Sequence, residues 1–160
     1  MLQLVKSLEP IKYTPRVYLV AKTDRLSEQK AIQYEQSLES KGQYYIHRIP
    51  RAREVGQSWS TVPFSVLYAI VASVKIFLRT SPELILCNGP GSCIPICLLA
   101  YIPRFLGIKK IEIIYIESFA RVQSLSLTGR LLYPFVDRFL VQWPQLSQTL
   151  DKAEYKGVLV

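Results

Sequence analysis

The sequence predicts one α/β domain, residues 1–160, with a Rossmann-like, mostly parallel sheet and flanking helices. Two patterns predict this class. Strand-like and helix-like segments alternate along the chain, and the later strands are runs of Ile, Leu and Val without polar alternation, as is typical of strands covered on both faces. A hydrophobic content of 49% is enough for one well-filled core.

The first predicted strands are Arg16–Ala21 and Tyr44–Ile49, separated by a polar helix over 27–40 that begins at a Ser27 cap and ends near Gly42. The remaining predicted elements alternate strictly. They are strands over 83–87, 111–116 and 138–141 and helices over 61–79, 93–106 and 127–135.

The first residues resemble the end of a helix, with apolar side chains at Leu2, Leu4, Val5 and Leu8. No strand precedes them in the sequence. We therefore expect the opening strand of the fold, and the glycine loop that would follow it, to be missing.

The formal net charge of +8 predicts an anionic partner: nucleic acid, a phosphorylated ligand or an acidic membrane surface. Nucleic acid is disfavoured, because the ten tyrosines are dispersed and no nucleic-acid-binding motif is present. Three clustered cysteines, Cys87, Cys93 and Cys97, have no nearby histidine to complete a metal site. We expect buried, reduced thiols, no metal and no cofactor.

A glycine loop follows the apolar strand over 83–87, at Asn88, Gly89, Pro90, Gly91 and Ser92. Backbone N–H groups at such a corner, with the N-terminus of the next helix, are able to hold a phosphate. The loop lacks the lysine of a Walker motif and the spacing of a dinucleotide fingerprint. A plain strand-to-helix turn is the alternative.

Glu117 and Ser118 end the strand over 111–116, so we expect them at the same sheet edge as the Asn88 loop. Glu117 is the candidate catalytic residue, as a base or as an acceptor for a sugar hydroxyl. A helix-capping or salt-bridged carboxylate is the alternative.

A basic loop begins near the end of the second strand and contains His47, Arg48, Arg51 and Arg53. Guanidinium groups bind phosphate in a bidentate fork, so these residues suit a diphosphate or an anionic lipid. A solvated basic loop is the alternative.

The helix over 61–79 is apolar nearly all round, which is typical of a deeply buried or lipid-facing helix. We expect it to meet a membrane or another subunit, with a core helix as the alternative. The residues expected to face the membrane are Trp59, Phe64, Leu67, Ile70, Val71, Val74 and Phe77.

Several segments together resemble one family. They are YIHRIPR at 45–51, REV at 53–55, QSW at 57–59, LCNGPG at 86–91, GIKK at 107–110, YIES at 115–118 and VQWP at 141–144. The combination resembles the membrane-anchoring subunit of the eukaryotic UDP-N-acetylglucosamine transferase, which adds the second sugar of the dolichol-linked oligosaccharide used in N-glycosylation. The resemblance covers residue 16 to the C-terminus.

The resemblance implies the N-terminal half of a GT-B glycosyltransferase. It implies a non-catalytic subunit that binds the dolichyl diphosphate-linked acceptor, with catalysis dependent on a soluble partner subunit. It also implies a location at the cytosolic face of the endoplasmic reticulum membrane, including the nuclear envelope. In this interpretation the acceptor meets the Asn88 loop, Glu117, Ser118 and the basic loop.

The C-terminal residues resemble the part of the family associated with docking to the catalytic partner, and a final strand is the alternative. The expected partner interface comprises Trp143, Tyr155, Val158, Leu159 and Val160. Two other functions stay open: a stand-alone Rossmann domain that binds a phospholigand or a nucleotide sugar, and a structural membrane adaptor without a ligand.

Overall fold

A computed structural model describes residues 2–6, 8–38, 42–53, 56–89 and 91–157. Helices and strands alternate along the chain from residue 16 onward. Their bounds are α1 Leu2–Lys6, β1 Arg16–Ala21, α2 Arg25–Ser37, β2 Tyr44–Ile49, α3 Val62–Thr80, β3 Leu84–Asn88, α4 Cys93–Phe105, β4 Glu112–Ile116, α5 Leu127–Leu132, β5 Arg138–Val141, α6 Pro144–Thr149 and β6 Ala153–Tyr155. A short 3-10 turn, Trp59–Thr61, leads into α3.

The strands form two parallel sheets, which confirms the predicted sheet type. One sheet has the order β3-β4-β5-β6, and the other consists of β1 and β2. Leu84 pairs with Glu112 at the start of β3 and β4, and Arg16 pairs with Tyr44 at the start of β1 and β2. A parallel pair needs a crossover connection, which α2, α4, α5 and α6 supply, while α3 connects the two sheets.

The core lies on both faces of the four-stranded sheet. Ile113, Tyr115 and Val141 are fully buried, and the Tyr115 ring stacks on Phe139 with a centroid separation of 5.1 Å. Ile49 of β2 belongs to the same hydrophobic cluster. The two sheets therefore share one core, in which β4 and β5 are the central strands.

The predicted start of α2 was wrong by two residues. Asp24, not Ser27, caps this helix, because Asp24 Oδ1 accepts the Ser27 backbone N–H at 3.0 Å and Oδ2 accepts the Ser27 hydroxyl at 2.7 Å. The helix ends at Ser37, because Leu38 is extended.

Other boundaries differ by one to three residues. β3 is shifted by one residue, and α5 ends at Leu132 instead of residue 135, where Pro134 has no N–H to continue the helical hydrogen bonds. The sequence analysis missed α6. A short strand, β6, covers Ala153–Tyr155 and overlaps the final-strand alternative at Tyr155 alone.

A buried ion pair joins the start of β1 to α2. The Arg16 guanidinium donates to both Glu35 oxygens, from Nε to Oε1 at 2.8 Å and from Nη2 to Oε2 at 2.7 Å, and the Tyr18 hydroxyl donates to Oε1 at 2.6 Å. Burial raises the pKa of Glu35, but the hydrogen bonds from Arg16 and Tyr18 outweigh it and leave the pKa below its ordinary value.

Because the folded-state pKa of Glu35 is lowered, its contribution to stability is present above the unfolded-state pKa and is lost as pH falls through the folded-state pKa. We expect Glu35→Gln to lower the free energy of unfolding at pH 7 by about 2 kcal/mol. In urea unfolding measured from pH 7 to acidic pH, the free energy of unfolding of Glu35→Gln should fall less steeply than that of the parent chain. Glu28→Gln, which breaks the exposed pair with Arg48, is the matched control and should change little. Parallel pH curves for Glu35→Gln and the parent would contradict this account.

Candidate functional site

Polar and glycine residues follow the strands of the larger sheet at one edge. Since β3, β4, β5 and β6 are parallel, their carboxyl ends meet there, where open α/β sheets bind ligands. Asn88 ends β3, Glu117 follows β4 and Gln142 follows β5. This edge is the candidate functional site.

The glycine loop follows β3, the outermost strand on one side of the larger sheet. Gly89 has φ +68°, a backbone conformation that other residues rarely adopt. A Cβ built on Gly89 would lie 3.7 Å from the Ser118 Cβ, so the loop does adjoin the end of β4, as the sequence predicted. Pro90 lies outside the described residues.

The loop leads directly into α4. Ile94 N–H donates to Gly91 O at 3.1 Å, and Ser92 makes no side-chain cap at the start of the helix. The N-terminus of a 13-residue helix thus stands behind the loop without a capping side chain. Backbone N–H groups in this arrangement, with the positive end of the helix dipole, are suited to binding an anion.

The Glu117 side chain is fully buried and its oxygens are engaged by the protein. Oε1 accepts the Ser118 backbone N–H at 2.8 Å, and Oε2 accepts the Ser126 N–H at 2.9 Å and the Ser126 hydroxyl at 3.0 Å. Ser126 Oγ in turn accepts the Gly129 N–H at 3.0 Å as the N-cap of α5. This geometry favours the capping alternative and makes Glu117 the anchor of the loop between β4 and α5.

This role of Ser126 and Gly129 was not predicted from the sequence. A serine at the start of an apolar segment is an ordinary N-cap signal, so Ser126 could have been predicted as the cap of α5. The contact with Glu117 spans nine residues and has no sequence signal of its own.

A large cavity of about 2890 Å³ lies between the two sheets, and we call it the inter-sheet cavity. Every residue of β1 and of β3 lines it, and so do residues from α1 to α5. At the carboxyl ends of the strands its wall includes His47, Arg51, Arg53, Asn88, Gly91 and Ser92. The structure therefore brings part of the basic loop and part of the glycine loop to one cavity.

Arg48 does not line this cavity. It donates from Nε and Nη2 to the two Glu28 carboxylate oxygens at 2.8 and 3.0 Å, on the outside of α2. These bonds raise the pKa of Arg48 above its ordinary value. Glu117 and Ser118 are also absent from the cavity wall.

The apolar helix α3 has two different faces. Phe64, Leu67 and Val71 are exposed, whereas Ile70, Val74 and Phe77 are half-buried and Phe77 packs against the core. Tyr68 and Leu78 are exposed as well, although the sequence analysis did not include them. The Trp59 side chain lies outside the described residues. By length and composition α3 is also long and apolar enough to cross a membrane.

The expected partner-interface residues follow β5 and end β6 at the same sheet edge. Trp143 Nε1 donates to the Phe119 carbonyl at 2.7 Å, and the two rings are tilted with centroids 5.0 Å apart. Phe119 and Tyr155 are both partly exposed. Residues 158–160 lie outside the described residues.

The cysteines cluster where β3 meets α4. Cys87 and Cys97 are buried free thiols with their sulfurs 3.6 Å apart, and Cys93 is half-buried. Hydrogen bonding to Cys93 and Cys97, together with burial, raises the pKa of Cys87. The prediction of buried thiols is confirmed for Cys87 and Cys97, which lie behind the glycine loop.

The whole chain matches one family model, described as "Oligosaccharide biosynthesis protein Alg14 like", over residues 1–159. The chain belongs to this Alg14 family. The predicted resemblance is thereby confirmed. Curated relatives named UDP-N-acetylglucosamine transferase subunit alg14 or ALG14 support the assignment.

The Schizosaccharomyces pombe relative is 46% identical over 162 residues, covering 99% of this chain and 76% of its own length. The Rattus norvegicus relative is 45% identical over 165 residues, covering 99% of this chain and 76% of its own length. The Homo sapiens relative is 44% identical over 154 residues, covering 92% of this chain and 71% of its own length.

Among solved structures, the crystal structure of Acinetobacter baumannii MurG is similar to the Alg14-family chain with a TM-score of 0.63 and 18% identity. The match covers 98% of this chain and 40% of the MurG chain. At this identity the likeness shows the fold alone. It confirms the predicted parallel-sheet α/β class with flanking helices.

The contact between Glu117 and Gly129 gives a specific prediction. A Cβ on Gly129 would clash with Glu117 Oε2 and come within 3.1 Å of Ser126 Oγ, so Gly129→Ala should destabilise the fold by about 1–3 kcal/mol. Gly91→Ala is the matched control, because its Cβ would meet Thr128 Oγ1 at an ordinary 3.9 Å. Thermal unfolding compares the two variants. Equal melting temperatures for Gly129→Ala and Gly91→Ala would contradict the anchoring role of Glu117.

Proposed function

We propose that the chain is the acceptor-binding and membrane-recruiting subunit of the heteromeric transferase that moves N-acetylglucosamine from UDP to GlcNAc-diphosphodolichol, the second step of lipid-linked oligosaccharide synthesis. The observation that carries the proposal is the family match over residues 1–159. Relatives at 46% and 45% identity are named as subunits of a UDP-N-acetylglucosamine transferase, which implies a catalytic partner.

The environment of Glu117 supports a division of labour between two subunits. A general base needs a carboxylate oxygen within reach of its substrate, but all the hydrogen bonds of Glu117 described above go to the protein. Among the described residues, no group of three or more His, Cys, Asp or Glu side chains has the arrangement of a metal site. The catalytic groups are therefore expected on the partner subunit.

The proposed acceptor site is the mouth of the inter-sheet cavity. The glycine loop and the N-terminus of α4 supply backbone donors on one side, and Arg51 and Arg53 supply positive charge on the other. A diphosphate carries negative charge and strong acceptor oxygens, so both sides suit it. Arg48 belongs to the proposal only as a surface charge, since Glu28 holds its guanidinium.

The proposed membrane contact is the exposed side of α3, continued by α4. Phe64 is 74% exposed on α3 and Phe105 is 86% exposed at the end of α4. Lys75, Arg79, Lys109 and Lys110 lie on or beside the same two helices, where anionic headgroups would neutralise them. The proposed location is the endoplasmic reticulum membrane at its cytosolic face.

The proposed docking edge for the catalytic partner is formed by Trp143 and Tyr155 among the described residues. It adjoins the acceptor site, because β3, β5 and β6 end at the same edge of the sheet. A partner bound there would face the acceptor held by the glycine loop.

Co-expression with the catalytic subunit of the same organism tests the function. The pair is expected to co-purify and to transfer N-acetylglucosamine to a dolichyl diphosphate acceptor, whereas neither chain alone should do so. Gly91→Leu should reduce transfer by about tenfold or more, because the side chain enters the anion site, while co-purification is retained. Gly91→Ala, which the fold accommodates, is the smaller matched change.

The outcomes separate the alternatives. Transfer by the chain alone would contradict a non-catalytic role, and micromolar binding of a nucleotide sugar by the isolated chain would favour the stand-alone Rossmann domain. Full transfer by Gly91→Leu, with partner binding intact, would favour a structural adaptor whose glycine loop is only a turn.

Flotation with anionic vesicles tests the membrane contact. Phe64→Glu and Val71→Glu each place a charge on the exposed side of α3, so each should reduce the bound fraction several-fold. Ile11→Glu is the matched control, because Ile11 is equally exposed but lies outside α3 and α4. A similar loss for all three variants would show a general charge effect and contradict α3 as the membrane-facing helix.

A further inference from the structure

Phe119 is an aromatic side chain at the polar edge of the larger sheet. It comes shortly after the end of β4 and is 46% exposed. The aromatic side chains within the sheet, Tyr115 and Phe139, are by contrast almost completely buried and belong to the hydrophobic core. Phe119 therefore carries exposed aromatic surface at the edge where open α/β sheets bind ligands.

A hydrogen-bonded turn fixes the backbone of Phe119. Arg121 N–H donates to Ser118 O at 2.9 Å. This bond closes a turn in which Phe119 and Ala120 are the two central residues. The buried carboxylate of Glu117 anchors the start of the turn, because it accepts the Ser118 N–H at 2.8 Å. The exposed ring thus stands on an ordered backbone.

The Phe119 ring is also held by a neighbouring side chain. It packs against Trp143, with ring centroids 5.0 Å apart and an angle of 43° between the ring planes. Trp143 Nε1 donates to the Phe119 carbonyl at 2.7 Å, so the ring and the backbone of Phe119 contact the same indole. A ring that is already ordered loses little entropy when a ligand stacks on it.

Phe119 lies between the proposed anion site and the proposed docking edge. On one side, a Cβ built on Gly89 would lie 3.7 Å from the Ser118 Cβ, and Phe119 is the next residue. On the other side is Trp143, which follows β5. The order along the edge is therefore glycine loop, Phe119 and Trp143, in keeping with the strand order β3-β4-β5. Neighbouring strands lie about 4.8 Å apart, which is also roughly the width of a pyranose ring.

We infer that Phe119 binds the sugar of the lipid-linked acceptor, by stacking on one face of its N-acetylglucosamine ring. The inference rests on the proposed acceptor-binding function and assigns the sugar subsite of that function. A sugar joined to a diphosphate at the glycine loop reaches the end of β4, where Phe119 lies. From there its hydroxyl groups face a partner bound at the ends of β5 and β6, as transfer from that partner requires.

The chemistry of an aromatic ring suits this sugar. Apart from the anomeric position, the substituents of a glucosamine ring are equatorial, so both faces of the ring carry C–H groups. The face of an aromatic ring is negatively polarised and attracts such groups. Ser118, Gln123 and Ser124 lie in the same segment between β4 and α5 and carry polar side chains for the sugar hydroxyls. An apolar surface with a few polar groups beside it is typical of small-molecule sites.

Acceptor kinetics of the co-expressed pair test this inference. Phe119→Leu keeps an apolar side chain but removes the ring, so it should raise the KM for a GlcNAc-diphosphate lipid about fivefold. It should leave unchanged the KM for UDP-N-acetylglucosamine and the inhibition constant of phytanyl diphosphate, which lacks the sugar. Phe119→Tyr keeps the ring and should retain the parent KM.

Phe135→Leu is the matched control and should behave as the parent. Phe135 is 45% exposed and also contacts one other ring, that of Tyr101, with a centroid separation of 5.4 Å. It precedes β5, however, and so lies at the opposite edge of the sheet from Phe119.

A parent-like KM for Phe119→Leu, in a pair that transfers the sugar, would overturn the inference and leave the proposed function intact. An equal rise in the inhibition constant of phytanyl diphosphate would overturn it, and so would the same loss in Phe119→Tyr or Phe135→Leu. Loss of co-purification in Phe119→Leu would overturn it in favour of a contact with the partner. Absence of transfer by the parent pair would contradict the proposed function, and the inference with it.

Discussion

The carboxylate of Glu117 is buried at the end of β4, and a buried charge has to be met by hydrogen-bond donors. Two backbone N–H groups and one hydroxyl meet it, and together they bind the end of β4 to the N-cap of α5. This fixes the path of the loop between them, beside which Gly89 and Ser118 lie. It also dictates a glycine at position 129, since any side chain there would enter the space of the carboxylate. The polar edge of the sheet is thus organised around one side chain that is inaccessible to a ligand.

The later strands were predictable from the sequence because parallel strands covered on both faces consist of apolar residues in succession, as β5 does over 139–141. Boundaries that depend on one capping contact were less predictable. Both Asp24 and Ser27 are ordinary N-cap residues, and the choice between them is made by the geometry of the hydrogen bond from Ser27 N to Asp24 Oδ1. Short elements such as α6 have too few residues to establish a period, so packing against β5 and β6 defines them.

The position of the candidate site, at one edge of the sheet, was predictable from the sequence, but the side-chain contacts within the site were not. The parallel topology alone places Asn88 and Glu117 side by side, and the glycine loop follows from its position after β3. Which arginines face the cavity depends on ion pairs between distant segments: Glu28 of α2 holds Arg48, twenty residues away, on the outer surface, whereas Arg51 lines the cavity. The same limit applies to Glu117, because sequence patterns do not distinguish a carboxylate that caps a loop from one that faces a substrate.

The position of the two sheets bears directly on the proposed acceptor site. Its basic side follows β2, in the two-stranded sheet, and its glycine side follows β3, in the four-stranded sheet. Ile49 and the contacts of α3 connect these halves through the core, but no strand pairing spans them among the described residues. The basic side and the glycine side bind one diphosphate well only when the distance between them is fixed, because ordering mobile groups on binding costs entropy. The packing of Ile49 and α3 in the shared core therefore sets the separation of the two sides of the site.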